Sequence, residues 1–207
     1  GKTNMKMALV LEYEGTNYCG FQYQPNVPTI QKSIEEALEK LTGNNMRIKA
    51  ASRTDSGVHA RGQVIVFDNY RGFAPQTVVK GLNYYLADDI SVKNAFVVSE
   101  EFEPRHQAIS RIYRYTILNS SVHSPLLRRF THRVSGHLDL PPMNDLVNWL
   151  EGVRDFGPFT GWMAPNASPI RRMDRVEIIK EESLIHVEME ANAFLPHQVR
   201  RTVGALL

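Results

Sequence analysis

The chain is organised around residues Ala50 to Gly62, which read AASRTDSGVHARG. Strand-like runs precede and follow this stretch, at Met46 to Ala51 and at Gln63 to Asp68. Glycine adopts positive φ angles at little cost, so we expect Gly57 and Gly62 to let the backbone turn sharply between the two runs. The pattern therefore predicts a loop that joins two strands and presents its side chains at the end of a sheet.

This loop carries several side chains that are typical of functional sites, namely Arg53, Asp55, His59 and Arg61. Loops held by a rigid sheet are where binding and catalytic residues concentrate. The alternative is a hairpin connection whose charges are simply solvated. The stretch by itself leaves both interpretations open.

Asp55 is the residue of this loop with the widest chemical range, since a carboxylate can be a nucleophile, a general base, a metal ligand or a helix cap. A metal site is disfavoured because Asp55 and His59 stand alone, and isolated Asp–His spacings of this kind are common by chance. The chain also lacks a serine nucleophile elbow and a glycine-rich phosphate loop. A neighbouring arginine keeps an aspartate ionised. That favours a nucleophile or base acting on the sugar or base of a nucleic acid.

The composition is that of an ordinary globular protein, with 207 residues, of which 43% are hydrophobic and 22% charged. No apolar run is long enough to cross a bilayer, and no signal-peptide pattern opens the chain. The single cysteine, Cys19, excludes an internal disulfide and a cysteine-based zinc site. These features predict a cytoplasmic protein. The last four residues stop inside an amphipathic helical pattern, so we expect the natural protein to extend further.

Positive charge is concentrated in one segment, although the net charge is only +2. The 35 residues from Pro104 to Leu138 contain no acid. Arginine binds phosphate in a bidentate fork, so the segment favours a nucleic-acid partner. The alternative is neutralisation by glutamates of the first half of the chain. The segment contains four histidines and six arginines, which are Arg105, Arg111, Arg114, Arg128, Arg129 and Arg133.

The order of predicted elements repeats, since β-α-β-β-α occurs twice at a spacing of about 100 residues. We therefore predict an α+β fold with two pseudo-symmetric halves, residues 1–104 and 105–207. The halves are expected to form one largely antiparallel or mixed sheet, with helices on one face and a central active-site cleft. The predicted helices are 30–42, 75–86, 143–153 and a last one opening at Pro196, and the predicted strands are 6–13, 46–51, 63–68, 90–98, 111–118, 173–180 and 184–191.

Two further groups of residues in the second half are candidates for a site. His197, Arg200 and Arg201 share one side of the last predicted helix, because residues three and four apart are neighbours there. His197 is expected to make a local hydrogen bond at the helix N-terminus rather than to act in catalysis. Arg200 is either a surface residue or, if this helix faces the cleft, a candidate partner for Asp55. Tyr113 and Tyr115 lie on one face of a strand, where tyrosine is usually part of the core.

Four stretches resemble motifs of the tRNA pseudouridine synthase A (TruA) family. Residues 52–60, SRTDSGVHA, resemble the motif GRTDAGVHA, and residues 13–22, YEGTNYCGFQ, resemble the family's opening YDGxxYxGWQ. Residues 110–115, SRIYRY, resemble its tyrosine strand, and residues 192–204, NAFLPHQVRRTVG, its closing NxFLxHMVRxxVG. All four occur in the family's order and with similar spacing across nearly the whole chain, which makes the resemblance specific.

The resemblance implies that Asp55 attacks a uridine, whose base detaches, turns and rejoins through carbon; attack at the sugar C1′ and attack at the pyrimidine ring both stay open. Arg200 would pair with Asp55, Tyr113 would stack on the flipped base, and Arg53 would hold the nucleotide out of the stack. No cofactor or metal is implied. Family members act as homodimers on the anticodon arm of tRNA, at positions 38 to 40. Further RNA-binding candidates are His59, Arg105, Arg111, Arg128, Arg129, Arg171 and His197.

The chain departs from the family pattern at five positions that leave the implied catalytic residues intact. Pro196 and Gln198 stand near the expected cleft, where a change can alter the choice of uridine. Two other functions remain open, namely an RNA-binding module or tRNA chaperone without turnover and an aspartate-dependent nucleosidase acting on free nucleotides. The five departures are Phe21, Ser52, Ser56, Pro196 and Gln198.

Overall fold

The computed structural model describes residues 5–207. The chain divides into two compact units, Gly1–Ala108 and Ile109–Leu207. Each unit has its own apolar core and its own sheet, and the two are described separately.

The first unit is a four-stranded antiparallel sheet with the strand order β2-β3-β1-β4. Its longest helix, α1, begins where the Thr29 hydroxyl accepts the Lys32 N–H at 3.3 Å and ends at Gly43, whose φ of 74° is left-handed. Its elements are β1 (Lys6–Tyr13), a short 3₁₀ turn (Gly15–Asn17), α1 (Ile30–Thr42), β2 (Lys49–Ala50), β3 (Ala60–Asp68), α2 (Pro75–Tyr85), β4 (Ile90–Val98) and α3 (Pro104–Gln107).

The second unit is a five-stranded sheet with the order β6-β5-β9-β8-β7. Only the β5–β6 pair is parallel. Its elements are β5 (Arg111–Asn119), β6 (His132–Val134), α4 (Leu140–Leu150), β7 (Gly152–Asp155), a 3₁₀ turn (Gly157–Phe159), β8 (Ile170–Glu181), β9 (Leu184–Ala191) and α5 (Gln198–Leu206).

The α+β class and the repeat are confirmed by these topologies. The order β2-β3-β1 in the first sheet corresponds to β8-β9-β5 in the second, and all of these neighbours pair antiparallel. The strands expected in one sheet form two hydrogen-bonded sheets, each assembled within its own unit. After β4 the chain turns into α3, which contacts β2 and β3, so Arg105 lies in the first unit.

Several predicted elements have other bounds in the structure, since β3 begins at Ala60 and β8 extends over Ile170–Glu181, and three further differences concern β2, α4 and α5. The strand predicted at 46–51 shortens to β2 because the Glu35 carboxylate of α1 accepts the Ile48 N–H at 3.1 Å, which takes this backbone out of the sheet. Helix α4 spans Leu140–Leu150 instead of the predicted 143–153, because β7 occupies the predicted C-terminal end. In this helix Leu146 is half exposed. Helix α5 begins after His197 rather than at Pro196, because His197 has a left-handed φ of 63°.

One arginine of the acid-free segment is neutralised within the second unit. Arg114 Nη2 lies 2.8 Å from Glu188 Oε2, and Arg175 Nη2 lies 2.8 Å from Glu188 Oε1. Hydrogen bonds from Arg175 and then from Arg114 hold the pKa of Glu188 below its ordinary value of 4.5. The carboxylate that pairs with Arg114 therefore comes from β9 and not from the first half of the chain.

The low pKa of Glu188 predicts an acid-sensitive contribution to stability. A carboxyl whose folded pKa is lowered stabilises the fold above its unfolded pKa, and the contribution is lost as the pH falls through the folded pKa. Glu188→Gln should therefore lower the free energy of unfolding at pH 7 by about 1 kcal/mol, because both arginines are partly exposed and screened. Urea unfolding at pH 7 and pH 3 should show a smaller difference from wild type at pH 3.

Glu177→Gln is the matched control, since Glu177 contacts only the Arg175 side of this group and its side chain is 47% exposed. Its effect should be smaller than that of Glu188→Gln. Equal losses for the two variants, or a Glu188→Gln effect that does not change with pH, would contradict the assignment.

Candidate active site

The loop of residues 51–59, here called the Asp55 loop, joins β2 to β3 without regular secondary structure. Its first residues are tied to β3, since the Ala51 N–H donates to Val64 O at 2.9 Å and the Gln63 amide donates to Ser52 O at 3.0 Å. Asp55 itself is partly buried, whereas Arg53 is exposed. The loop therefore leaves the sheet in a fixed direction and turns back at Asp55.

The backbone just before Asp55 is held by the segment that follows β1. The Phe21 N–H donates to Thr54 O at 3.0 Å, and the hydroxyls of Tyr13 and Thr54 lie 2.8 Å apart. Both bonds join residues that are more than 30 positions apart in the chain. Asp55 is thus preceded by a residue fixed through both its main chain and its side chain.

The backbone just after Asp55 is held by the same segment. Tyr18 O accepts the Gly57 N–H at 3.3 Å and the Ser56 hydroxyl at 3.2 Å. The turn is closed by the Val58 N–H, which donates to Asp55 O at 3.1 Å, and Gly57 has the left-handed φ of 78° that such a turn favours. Ser56 replaces the family's usual alanine, and its hydroxyl adds a bond to this attachment. By contrast, Gly62 lies within β3 and does not act as a joint.

The contact between these two segments depends on glycine. A Cβ on Gly15 would lie 2.1 Å from Val58 O, and a Cβ on Gly20 would lie 3.0 Å from Thr54 O. Gly20 also has a left-handed φ of 86°. The glycines of the opening motif therefore allow its backbone to touch the Asp55 loop. Sequence reasoning missed this role, although the close recurrence of glycine in residues 13–22 was a signal for it.

Tyr18 fixes the segment that holds the Asp55 loop. Its hydroxyl donates to Asp89 Oδ1 at 2.6 Å, close to the start of β4. Burial, followed by the hydrogen bond and the negative charge of Asp89, raises the pKa of Tyr18. The phenol therefore stays protonated and keeps its donor at neutral pH.

His59 has a structural hydrogen bond in addition to the RNA contact predicted for it. Its Nδ1 accepts the Gly15 N–H at 3.0 Å, which joins the end of the Asp55 loop to the opening motif. An accepting Nδ1 requires the proton of a neutral imidazole to lie on Nε2. This geometry makes His59 a positioning residue of the loop.

In the second unit, Tyr113, Phe194 and Arg200 belong to one aromatic and basic cluster. Tyr113 on β5 meets Phe194 edge to face, with ring centroids 4.8 Å apart. Burial raises the pKa of Tyr115, and the positive charge of Arg200 partly offsets this rise. The positive charge of Arg200 on α5 thus acts on Tyr115 of β5.

His197 completes this cluster. Its Nδ1 lies 2.6 Å from Arg200 Nη2, and since a guanidinium only donates, the imidazole accepts. The local hydrogen bond expected for His197 is therefore present. Gln198 is buried, with 1% of its surface exposed, and its side-chain carbonyl accepts the Leu195 N–H at 2.8 Å. Gln198 stabilises the turn into α5, so its departure from the family pattern has a structural reason.

The other predicted RNA-binding residues are dispersed over the two units. Arg111 Nη1 donates to Asn192 O at 2.6 Å and so ties β5 to the start of the closing motif. Arg128 Nη1 donates to Pro125 O at 2.9 Å. Arg171 donates to Ser168 O and Ile170 O, and burial lowers its pKa. Arg105 on α3 and Arg129 are exposed. The structure does not gather these five into one contiguous cluster within either unit.

Residues 5–207 contain neither a candidate metal site nor a candidate membrane-spanning helix. In this part of the chain, no group of three or more histidine, cysteine, aspartate or glutamate side chains is arranged to hold a metal ion. None of its helices is long and apolar enough to cross a membrane.

Comparison with known proteins decides the family. A family model described as tRNA pseudouridine synthase matches residues 9–106 and 146–207. The chain belongs to the tRNA pseudouridine synthase family. Members of this family are isomerases, and the Asp55 loop, His197 and Arg200 all lie inside the matched ranges. Tyr113, Arg128 and Arg129 lie between them.

Individual relatives from this family resemble the chain over most of its length. The tRNA pseudouridine synthase A of Geobacter sulfurreducens is 41% identical over 96% of this chain and 82% of the relative. That of Pelobacter propionicus is 40% identical over 96% of this chain and 82% of the relative. The enzyme of the same name from Blochmanniella pennsylvanica is 39% identical over 98% of this chain and 77% of the relative.

The close approach of Gly15 predicts a strong effect of a single methyl group. Gly15→Ala should displace Val58 and the turn after Asp55, because a backbone oxygen 2.1 Å from a Cβ has to move. Displacement of a reacting group by about 1 Å costs roughly a hundredfold in rate. We expect a loss of this size in kcat/KM for pseudouridine formation, measured on an unmodified tRNA transcript.

Gly62→Ala is the matched control, because a Cβ at Gly62 meets nothing within 4 Å and its φ is not left-handed. It should keep near wild-type activity. Circular dichroism at the assay temperature separates a local displacement from unfolding of Gly15→Ala. Full activity of folded Gly15→Ala would show that the contact is not needed.

Proposed function

We propose that the chain converts uridine to pseudouridine in tRNA, with Asp55 as the group that attacks the uridine. The observation that carries the proposal is the attachment of the Asp55 loop, whose backbone is fixed immediately before and after Asp55 by Phe21 and Tyr18. Fixed geometry of a reacting group is a major source of rate enhancement. A loop with solvated charges needs no such attachment.

The reaction is an isomerisation, so nothing is gained or lost overall. The N1–C1′ bond of the uridine breaks, the base turns, and a new bond forms between C5 and C1′. The proton on C5 leaves and a proton is added at N1. The Asp55 carboxylate attacks either C1′ or the pyrimidine ring, and the resulting bond breaks again when the product forms. Both variants need an ionised carboxylate and no redox partner.

Three further side chains complete the proposed catalytic set. Arg200 orients Asp55 by pairing with it, and an arginine suits this task because its guanidinium presents several donors in a fixed planar geometry. Tyr113 stacks on the extruded base, and its edge-to-face contact with Phe194 supports the ring in that position. Arg53, which is exposed on the Asp55 loop, holds the nucleotide out of the helical stack.

Extrusion of a base costs a few kcal/mol of lost stacking. We propose that the predicted RNA-binding arginines and histidines contact phosphates of the tRNA and that these contacts offset the lost stacking. The substrate region is the anticodon arm of tRNA, with positions 38 to 40 as targets. The protein acts as a homodimer in the cytoplasm. The proposed RNA-binding residues are His59, Arg105, Arg111, Arg128, Arg129, Arg171 and His197.

The proposal is tested by tritium release from tRNA that carries 5-tritiated uridine, since C5 loses its hydrogen when it bonds to C1′. Asp55→Asn should abolish release while keeping tRNA affinity, because the amide retains the shape of the side chain but not its nucleophilic charge. Asp68→Asn, an equal change at the end of β3, should release tritium at the wild-type rate. Equal release by Asp55→Asn and wild type would refute the role of Asp55. No release by wild type, with tRNA still bound, would indicate an RNA-binding module.

A separate prediction concerns Arg128 and Arg129. Replacing both by alanine should weaken tRNA binding and flatten its salt dependence, because each lost phosphate contact removes the release of about one counterion. The melting temperature should change little, since the bond that Arg128 donates to the nearby Pro125 carbonyl is exposed to solvent.

Arg47→Ala is the control for this pair, because Arg47 is already paired with Glu35 at 2.6 Å. It should leave tRNA affinity unchanged in filter binding at several salt concentrations. A large drop in melting temperature with full tRNA affinity in the Arg128→Ala, Arg129→Ala double variant would show that these two side chains are structural.

A further inference from the structure

The second unit contains an ordered loop, residues 160–169, that none of the family motifs described above includes; it is called here the Trp162 loop. Its base is closed by the Phe156 N–H, which donates to Pro169 O at 3.1 Å. Within it, the Ala167 N–H donates to Ala164 O at 3.0 Å and Asn166 has a left-handed φ of 64°. The loop thus has its own turn and a fixed base.

The Trp162 loop is attached to the entrance of α5. The Thr160 hydroxyl lies 3.0 Å from both Trp162 O and Pro196 O, and its single proton serves either acceptor. A Cβ placed on Gly161 would lie 3.2 Å from Arg201 Nη2, so the guanidinium of Arg201 lies against the loop backbone. The loop is therefore adjacent to the helix that carries Arg200.

Trp162 is the more exposed of the two tryptophans of the chain, with 66% of its surface accessible. An indole of this size in water is a typical platform for a stacked base. The other one, Trp149, is 59% exposed, but the guanidinium of Arg154 already covers its ring at 4.5 Å. The two side chains thus differ in whether a ring face is already engaged by a cation.

The surroundings of Trp162 favour an anionic ligand. Residues 156–173 and 192–207 contain no aspartate and no glutamate. Arg172 is paired with Asp174 at 2.6 Å, whereas Arg171 and Arg201 form no ion pair with any of the residues 5–207. The Arg171 Nε is buried and has no hydrogen-bond partner in that range. The guanidinium of Arg201 lies against Gly161, next to Trp162 in the chain, and that of Arg171 lies at the base of the loop, where it donates to Ser168 O. Two positive charges without an acidic partner and one exposed indole on the same loop match the phosphate and the base of a nucleotide.

We propose that the Trp162 loop, with Arg171 and Arg201, binds an unpaired nucleotide of the RNA substrate, whose base stacks on Trp162 and whose phosphate contacts a guanidinium. The proposal rests on the proposed function for its substrate class and adds a contact outside the four family motifs. Stacking without base-specific hydrogen bonds is tolerant of sequence. Trp162 therefore contributes affinity and orientation rather than the choice of a particular base.

The two tryptophans allow a direct optical test. Trp149→Phe leaves Trp162 as the only indole, and Trp162→Phe leaves Trp149. On titration with an unmodified tRNA transcript, the fluorescence of Trp149→Phe should be quenched, with the same midpoint as filter binding. The fluorescence of Trp162→Phe should change little. Saturable tRNA binding without any change in the Trp162 signal would refute the contact.

Alanine variants measure how much the Trp162 stacking contact contributes to tRNA affinity. Trp162→Ala should weaken tRNA binding and raise KM on the order of tenfold, the loss expected for one stacked base, with kcat nearly unchanged. Trp149→Ala should match wild type in both parameters. Equal affinities of the two variants would overturn the proposal, as would a Trp162→Ala variant that loses self-association in sedimentation velocity while it keeps tRNA affinity.

The same measurements distinguish failure of the Trp162 contact from failure of the proposed pseudouridine formation. Pseudouridine formation by wild type with a silent Trp162 refutes only the Trp162 contact. Trp162 quenching by tRNA without pseudouridine formation refutes only the catalytic assignment of Asp55. Absence of any tRNA binding by wild type refutes both.

Discussion

The main-chain contact between residues 13–21 and the Asp55 loop is the constraint on which the candidate site depends. Thr54 and Gly57 are bonded on either side of Asp55 by Phe21 and Tyr18, at 3.0 and 3.3 Å. The approach is possible because Gly15 and Gly20 lack a Cβ. The Asp55 loop is bonded on both sides of Asp55 to this segment, which follows a different strand, so the segment helps to set the shape of the loop. The opening motif and the aspartate motif of the family are, in physical terms, two sides of one contact.

In the second unit the charged side chain of Arg200 is held by local contacts at the start of α5. His197 has a left-handed backbone, and its carbonyl accepts the Arg201 N–H at 3.0 Å, so the irregular chain ends at His197 and α5 begins. Its imidazole accepts from Arg200 at 2.6 Å, which restrains a side chain that otherwise has many rotamers. Buried Gln198 fixes the preceding turn through the Leu195 N–H. A positive side chain is thus presented from a short, well-anchored helix start.

Local features of the sequence predicted the local features of the fold. Thr29 and Gly43 indicated the ends of α1, because capping and left-handed glycine act on neighbouring residues. The family motifs predicted site roles for Asp55, Tyr113 and Arg200, which stay predictions. The sequence did not predict that Glu35 removes Ile48 from the sheet, that His59 accepts from Gly15, or that Gln198 is buried. Each of these depends on a contact or a backbone angle that leaves no periodic pattern, and the His59 and Gly15 partners are 44 residues apart.

Amide hydrogen exchange of the wild-type protein tests most directly whether the Asp55 loop is held by the opening motif. The informative amides are those of Gly15, Phe21 and Gly57, which donate to His59 Nδ1, Thr54 O and Tyr18 O. All three should exchange as slowly as the amides of β3, because they open only when the first unit opens. Exchange of the three at the rate of an unstructured peptide, with β3 still protected, would show that the opening motif does not hold the loop.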